Sequence, residues 1–286
     1  MNAKPLYGTF GCMVEAAPQR ANGPEGDELF DLDANRVRSL FATHGLVLFR
    51  GFPTSIDAFR AFSDRLCDRF RSHSNVAQRI PLSEDGTVVT ANQGLGEVLL
   101  HGEMYYLPEE QRPDVLWLYC HKPPATGAGG ETTLADGVLL LQKLSPATRA
   151  CFESKRIVYP RKKKAGANGD EATIGTVTYA VSRTRRGKQA FINSILNRYQ
   201  HVGGRVEHPS MVHFEDGSLL PDEILRELLT TTELWQERLE WQAGDMVMLD
   251  NSWIMHGRRA FSGPRDVVTR MANLRTNERH YATRSV

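Results

Sequence analysis

Two histidines and one carboxylate in this sequence have the types and placement to hold a metal ion. His101-Gly102-Glu103 follows the apolar run Val98-Leu99-Leu100, so His101 ends an expected strand. Residues two apart on an extended chain point the same way, which lets an imidazole and a carboxylate converge. Taken alone, an H-x-E triplet is better explained as polar residues at a strand end. His256 lies 155 residues further on, in GDMVMLDNSWIMHGRRAF, again at the end of an apolar stretch. Alone it reads as a core histidine satisfied by hydrogen bonds. Together the three can fill one face of an octahedral metal and leave three positions open, the arrangement of non-haem Fe(II) oxygenases. Zinc catalysis uses the same ligand types, so the set does not name its metal.

Arg270 stands fourteen residues after His256, in DVVTRMANL, where Val268, Arg270, Ala272 and Leu274 share one strand face. A guanidinium pointed into a barrel among small apolar groups needs an anion, because an unpaired buried charge is costly. A dicarboxylate gripped by the planar fork would supply one; so would an ordinary ion pair. Gly129-Gly130-Glu131-Thr132 offers a tight turn followed by a hydroxyl near the start of a strand.

The elements that must position these groups are short and β-rich. From about residue 86 the runs TVVTA, EVLLH, DVLWLYC, ETTLAD, RIVYP, TVTYAVS, QAFINSI, DMVMLD, WIMHG and DVVTRMANLR alternate with turn residues, which predicts a sandwich or barrel. Ahead of them come a helix over 30–43 capped by Asp33 or Asn35, a buried strand from Leu46, and a helix over about 55–70. Two further helices are expected, VLLLQKLSPATRACFE after Asp136 and PDEILRELLTTTELWQERL from Pro221. The stretch YPRKKKAGANGDEATIG reads as a loop. No segment reads as a linker, so residues 1–286 are expected to form one domain, helix-rich to about 85 and with a β core over about 86–280. The fold class is α+β with a mainly β core.

The 286 residues are 41% hydrophobic and 24% charged, enough for a large core, and a net charge of +1 recruits neither nucleic acid nor membrane. No stretch approaches the roughly 18 apolar residues of a membrane span, and no signal-peptide core is visible; the chain is expected in the cytoplasm. Cys12, Cys67, Cys120 and Cys151 make no C-x-x-C pair, which argues against disulfides and a zinc knuckle.

In order and spacing, HGLVLFRGF, the H-x-E triplet, GAGGETTLADG, WQAGDMVMLDN, the distal His256 and Arg270 resemble the taurine dioxygenase and clavaminate synthase-like superfamily, over about residues 38–277. The resemblance implies a double-stranded β-helix (jelly roll) with flanking helices. It implies Fe(II) held by His101, Glu103 and His256, with 2-oxoglutarate and O2 as co-substrates. Arg270 matches the arginine that binds the distal carboxylate of 2-oxoglutarate, and Thr132 the hydroxyl that assists it. Glutamate at 103 is similar to the amino-acid hydroxylases of secondary metabolism and argues against halogenation.

Leu274 stands where taurine-type members carry a second arginine, and Arg275 should face the other way, so a sulfonate substrate is not expected. Candidate substrate contacts are Glu97, Tyr105, Tyr106 and Arg258, with Glu97 available to a substrate amine and the tyrosines equally readable as core. The run Arg161-Lys162-Lys163-Lys164 is a solvated loop or a docking patch for an acidic acyl or peptidyl carrier protein with tethered substrate. The expected activity is hydroxylation of an amino acid or amino-acid-derived small molecule, free or carrier-tethered. Desaturation, cyclisation or epoxidation by the same cofactors, a non-catalytic metal-binding barrel, and a zinc hydrolase are the alternatives.

Overall fold

Local signals set most of the element boundaries. The computed structural model describes residues 3–17, 29–72, 79–91, 93–162, 173–208 and 210–274. β1 (Ala3–Pro5) and β2 (Cys12–Glu15) precede α1 (Ala34–His44), which Asp33 caps by accepting from Arg36 N. Gly45 ends α1 at φ 71°, a left-handed turn that a residue without Cβ makes at no steric cost. β3 (Leu46–Arg50) and α2 (Ile56–Leu66) follow. α2 stops short of residue 70 because Cys67–Asp68 pair with the last strand as β4. Next come β5 (Val88–Thr90), β6 (Val98–His101), β7 (Val115–Lys122) and β8 (Thr132–Asp136).

The helix expected after Asp136 is two helices, α3 (Gly137–Lys143) and α4 (Pro146–Ser154). Pro146 cannot extend the first but suits the opening turn of the second, which Ser145 caps. β9 (Ile157–Lys162) and β10 (Thr173–Thr178) form a hairpin, so the expected loop is narrower than the sequence suggested. Lys163 and Lys164 lie outside the described residues. β11 (Val181–Arg183), β12 (Gln189–Phe191), α5 (Ile195–His201), β13 (His213–Phe214) and α6 (Asp222–Leu234) follow. The end of the helix expected from Pro221 is instead β14 (Glu237–Leu239), paired to β8. β15 (Met246–Asp250), β16 (Ile254–Arg258) and β17 (Asp266–Leu274) complete the set.

The major sheet runs β1-β2-β3-β15-β7-β17-β4, with β5 also on β17, and the minor sheet runs β14-β8-β16-β6. Leu48, Leu118, Leu249 and Met271 of the major sheet meet Leu134 and Ile254 of the minor sheet in one buried cluster, so the two sheets face each other. Outside the major sheet, Trp117, Val268 and Ala272 pack on Phe41 of α1 and Phe59 and Phe62 of α2. Phe59 stacks on Tyr119 with centroids 5.5 Å apart; each such buried ring stabilises by about 1.5–3 kcal/mol on area alone. Outside the minor sheet, Leu100, Ala135 and Met255 pack with residues of α3 to α6. The architecture is a double-stranded β-helix, or jelly roll, with helices on its outer faces.

β17 is buried along almost its whole length. Val268, Arg270, Ala272 and Leu274 do share a face, but Arg270 pairs across the sheet with Trp117 and Val88, both in the helix-packed cluster. That face lies outside the barrel. Among the four cysteines no disulfide forms, and Cys120 is a buried core residue.

Candidate metal centre and co-substrate wall

His101 and His256 sit directly opposite each other on β6 and β16, with ring centroids 4.3 Å apart. Glu103 lies in the turn after β6, and its main chain is clamped by Asn251. Asn251 Oδ1 accepts from Glu103 N at 2.8 Å, while Nδ2 donates to the carbonyls of Glu103 and Pro113 at 3.0 and 2.9 Å. The chain then bends through Met104 at φ 59°, a conformation uncommon outside glycine. Gly102 has no room for a side chain: a Cβ would lie 2.5 Å from the Tyr105 ring and 2.9 Å from Ile192. At Gly257 a Cβ would lie 2.4 Å from Val98 O and 2.7 Å from Thr133 Oγ1, so glycine lets β6 and β8 close on His256 from both sides.

His101 Nδ1 lies 2.9 Å from the Leu99 carbonyl. A carbonyl only accepts, so Nδ1 carries the proton and Nε2 keeps its lone pair for a metal. Burial, and then His256, push the His101 pKa down to about 4, so the ring is neutral at physiological pH. For Glu103, burial opposes ionisation, but His256, Arg79 and His101 outweigh it and hold the carboxyl well below the usual range. Its Oε2 is 3.4 Å from His256 Nε2 and 3.9 Å from His101 Nε2, and its Oε1 is 3.8 Å from Arg79 Nη2. These distances exceed those of charged hydrogen bonds, typically about 2.7–2.9 Å. An ionised carboxylate only 7% exposed is therefore loosely partnered, which is costly in an interior. The ligand atoms of His101, Glu103 and His256 all lie within 4.8 Å of one another. A divalent cation bonded to each at about 2.0–2.2 Å fits that gap and supplies the missing charge.

Thr132 begins β8 opposite Arg258, two residues along from the Leu134–His256 pair. It therefore shares the inward face of His256, at the roughly 7–8 Å typical of diagonal neighbours. Thr132 Oγ1 accepts from Trp241 Nε1 at 3.0 Å and from Arg265 Nη2 at 3.5 Å. Both lone pairs are engaged, so the hydroxyl proton is left to donate to a ligand. Arg265, at the entry to β17, donates Nε–H to the Gly130 carbonyl at 2.9 Å. Among the described residues no carboxylate reaches ion-pairing distance of Arg265. Burial, and then Arg258, push its pKa down to about 10, which leaves it charged at neutral pH.

Arg270 is placed differently. Its Nη1 donates to Asp64 Oδ1 and Ser63 Oγ at 2.7 Å and to the Arg60 carbonyl at 3.0 Å. Its Nε donates to Thr87 Oγ1 at 3.1 Å, and the guanidinium lies 3.4 Å over the Phe70 ring. Arg270 is the ordinary ion pair of the two alternatives, on the far side of the major sheet from the triad. The expectation that it faces the co-substrate is corrected: Arg265 is the arginine beside Thr132.

The candidate substrate contacts also divide. Glu97 binds Arg259 Nη1 at 2.8 Å, and Arg259 also holds Glu233 of α6, so Glu97 is turned toward the helices rather than the mouth. Tyr105 is 5% exposed in the helix-packed core, with the Arg112 guanidinium 4.4 Å above its ring. Tyr106 packs on the same core under Arg198. Arg258 faces inward as Thr132 does, and donates to the carbonyls of Gly94 and Gly96. Sequence reasoning missed Asn251, Trp241, Arg265 and Arg79. Only Arg265 had a visible signal, an arginine following Gly263-Pro264 at the entry to a strand.

Two imidazoles and a carboxylate gathered on the inner wall of a jelly roll are the ligand set of the non-haem Fe(II) oxygenases. The sequence matches the Taurine catabolism dioxygenase TauD, TfdA family over residues 4–272, and the chain belongs to that family. It is a dioxygenase, with Fe(II) as its metal and 2-oxoglutarate as co-substrate. It is similar to the 3-((Z)-2-isocyanoethenyl)-1H-indole synthase of Fischerella ambigua, at 26% identity over 257 residues and 88% of each chain. A clavaminate synthase-like protein of Arabidopsis thaliana is 26% identical over 276 residues, 80% of this chain and 82% of that one. The fold is similar to PvcB from Pseudomonas aeruginosa, with a TM-score of 0.65 at 20% identity over 95% of this chain and 91% of PvcB.

Proposed function

We propose that the protein oxidises an unactivated C–H bond of an amino acid or amino-acid-derived small molecule in secondary metabolism, with hydroxylation as the outcome. His101, Glu103 and His256 are the iron ligands, and Thr132 and Arg265 hold 2-oxoglutarate. The observation that carries this reading is the convergence of three donor atoms within 4.8 Å on the inner wall. The relation to an isocyanoethenyl-indole synthase supports the substrate class. No described helix is long and apolar enough to cross a membrane, and we place the enzyme in the cytoplasm.

Iron with 2-oxoglutarate and O2 supplies an oxidant for C–H bonds, converting the co-substrate to succinate and CO2. The chain's own residues position and shield. Arg265 and the Thr132 hydroxyl take the distal carboxylate, a charge-assisted pair inside a half-buried wall. The Leu99 carbonyl fixes the tautomer and ring plane of His101, and Asn251 fixes the turn that aims Glu103. Leu134 and Ile254 line the interior between the sheets and keep water out.

A second reading, desaturation, is favoured by one observation: the product in the relative's name carries an ethenyl double bond. Product mass separates the two, since hydroxylation adds one oxygen and desaturation removes two hydrogens. The test of the site is anaerobic addition of Fe(II) and 2-oxoglutarate. Wild type is expected to give the weak visible charge-transfer band of the chelate, and His101→Ala to lose it. A fully iron-loaded wild type without the band would sink the assignment.

A further inference from the structure

Arg79 is a cation beside the triad that the oxygenase reading does not use. It lies on the approach to β5, its side chain is 17% exposed, and its Nη2 is 3.8 Å from Glu103 Oε1. Its Nη1 is buried and, among the described residues, has no hydrogen-bond partner. Arg50, Arg185 and Arg270 are each matched to a carboxylate, Asp245 at 2.6 Å, Asp250 at 2.7 Å and Asp64 at 2.7 Å, and Arg258 and Arg265 at least meet main-chain carbonyls. Among the described residues Arg79 has only the loose approach to Glu103, a carboxylate whose charge the metal would claim. A divalent metal, Glu103, a dianionic co-substrate and Arg265 balance, and the inward-facing Arg258 leaves the site with one positive charge. Arg79 then adds one positive charge to a water-poor site, which only an incoming anion offsets.

We infer that Arg79 receives the carboxylate of the substrate, and that the substrate is therefore a free carboxylic acid. The inference rests on the oxygenase reading, because it places the substrate beside the iron ligands. Nη1 and Nη2 present the fork that matches a carboxylate bidentately. Since Arg79 adjoins a metal ligand, the C–H bond oxidised lies within a few bonds of that carboxylate. A thioester on a carrier protein has no such anion to offer, so the arrangement selects the free acid over the tethered one.

The test uses the full chain loaded anaerobically with Fe(II) and 2-oxoglutarate. The probes are the common L-amino acids and their N-formyl derivatives, each paired with its neutral primary amide. Binding is read as perturbation of the charge-transfer band. The best acid should bind roughly tenfold to a hundredfold tighter than its amide, the range of a hydrogen-bonded charge. Arg79→Gln should keep the band but erase that preference, and Arg79→Lys should restore part of it. The inference is overturned if no acid binds, if acid and amide bind alike, or if Arg79→Gln keeps the preference. It is also overturned if Arg79→Gln weakens the band while the acid-to-amide ratio stands, for then Arg79 only positions Glu103. Absence of the band in wild type is a separate failure, that of the oxygenase reading itself, and the inference falls with it.

Discussion

Arg265 and Arg270 carry the same side chain five positions apart, and their partners give them different work. Among the described residues, Arg265 has a carbonyl, a threonine hydroxyl and no carboxylate, and Arg270 has Asp64, Ser63 and an aromatic ring. Arg265→Met is expected to weaken 2-oxoglutarate binding by at least about thirtyfold, as for removal of one partner of a buried charge pair. Arg270→Met should leave that affinity within about twofold and lower stability by about 1–3 kcal/mol. Co-substrate titration and thermal melts of both variants check this, and the opposite pattern would restore Arg270 to the site. Asn251 is a second residue-scale case. Asn251→Asp sets a carboxylate oxygen against two carbonyls that now accept N–H bonds. Metal affinity should fall about tenfold or more, since groups that orient a ligand matter nearly as much as ligands. Unchanged Fe(II) or Co(II) titration would show that the Glu103 turn holds without the clamp.

At the scale of elements, the site depends on how closely β6, β16 and β8 pack. Gly257 is the contact point, with Val98 O and Thr133 Oγ1 where its Cβ would be. Gly257→Ala should destabilise by about 1–3 kcal/mol, as overpacking does, and weaken metal binding more than it lowers the melting temperature suggests. Gly8→Ala, where nothing lies within 4 Å, is the control. Equal metal affinity in the two variants would mean that the strands adjust without moving the histidines. The helices were legible to varying degrees. α1 announced itself through Asp33 and Gly45, because caps are local chemistry, and α2 through its apolar spacing; the Ser55 cap of α2 is visible only in the structure. The tail of α6 did not, because residues 237–239 are taken by pairing with β8, a partner about a hundred residues away.

For the whole molecule, the inner wall links metal and co-substrate binding to folding. The triad joins the minor-sheet strands β6 and β16, and Arg265 at the entry to β17 reaches across to Thr132 of the minor sheet. Ligands that bind only the folded chain stabilise it by about 2.7 kcal/mol at a hundredfold excess over Kd. Anaerobic Fe(II) with 2-oxoglutarate should therefore raise the melting temperature by about 4–5 °C, on the per-residue unfolding entropy of globular proteins. Chelator should reverse the shift. A shift retained in His101→Ala would place the binding elsewhere.

The sequence by itself pointed to the His-Glu-His set, the β-rich core and the family, and placed His101 at the end of its strand. These are local or pairwise facts: an H-x-E spacing, apolar runs, turn residues and motif order. The sequence did not place Glu103 in the turn after β6 or His256 in the middle of β16. Tertiary structure alone decided which face of β17 looks inward. The strand is buried on both faces, so it shows no polar–apolar alternation, and the pattern Val268-Arg270-Ala272 names a shared face without naming its side. A register shift between Asp266 and Val267, and the packing of α1 and α2 on the outer face, settled the matter. The same reason turned Glu97 toward Arg259 and brought Asn251 and Arg79 to Glu103. Contacts between residues far apart in the chain are made by register and packing, and no short stretch of sequence carries them.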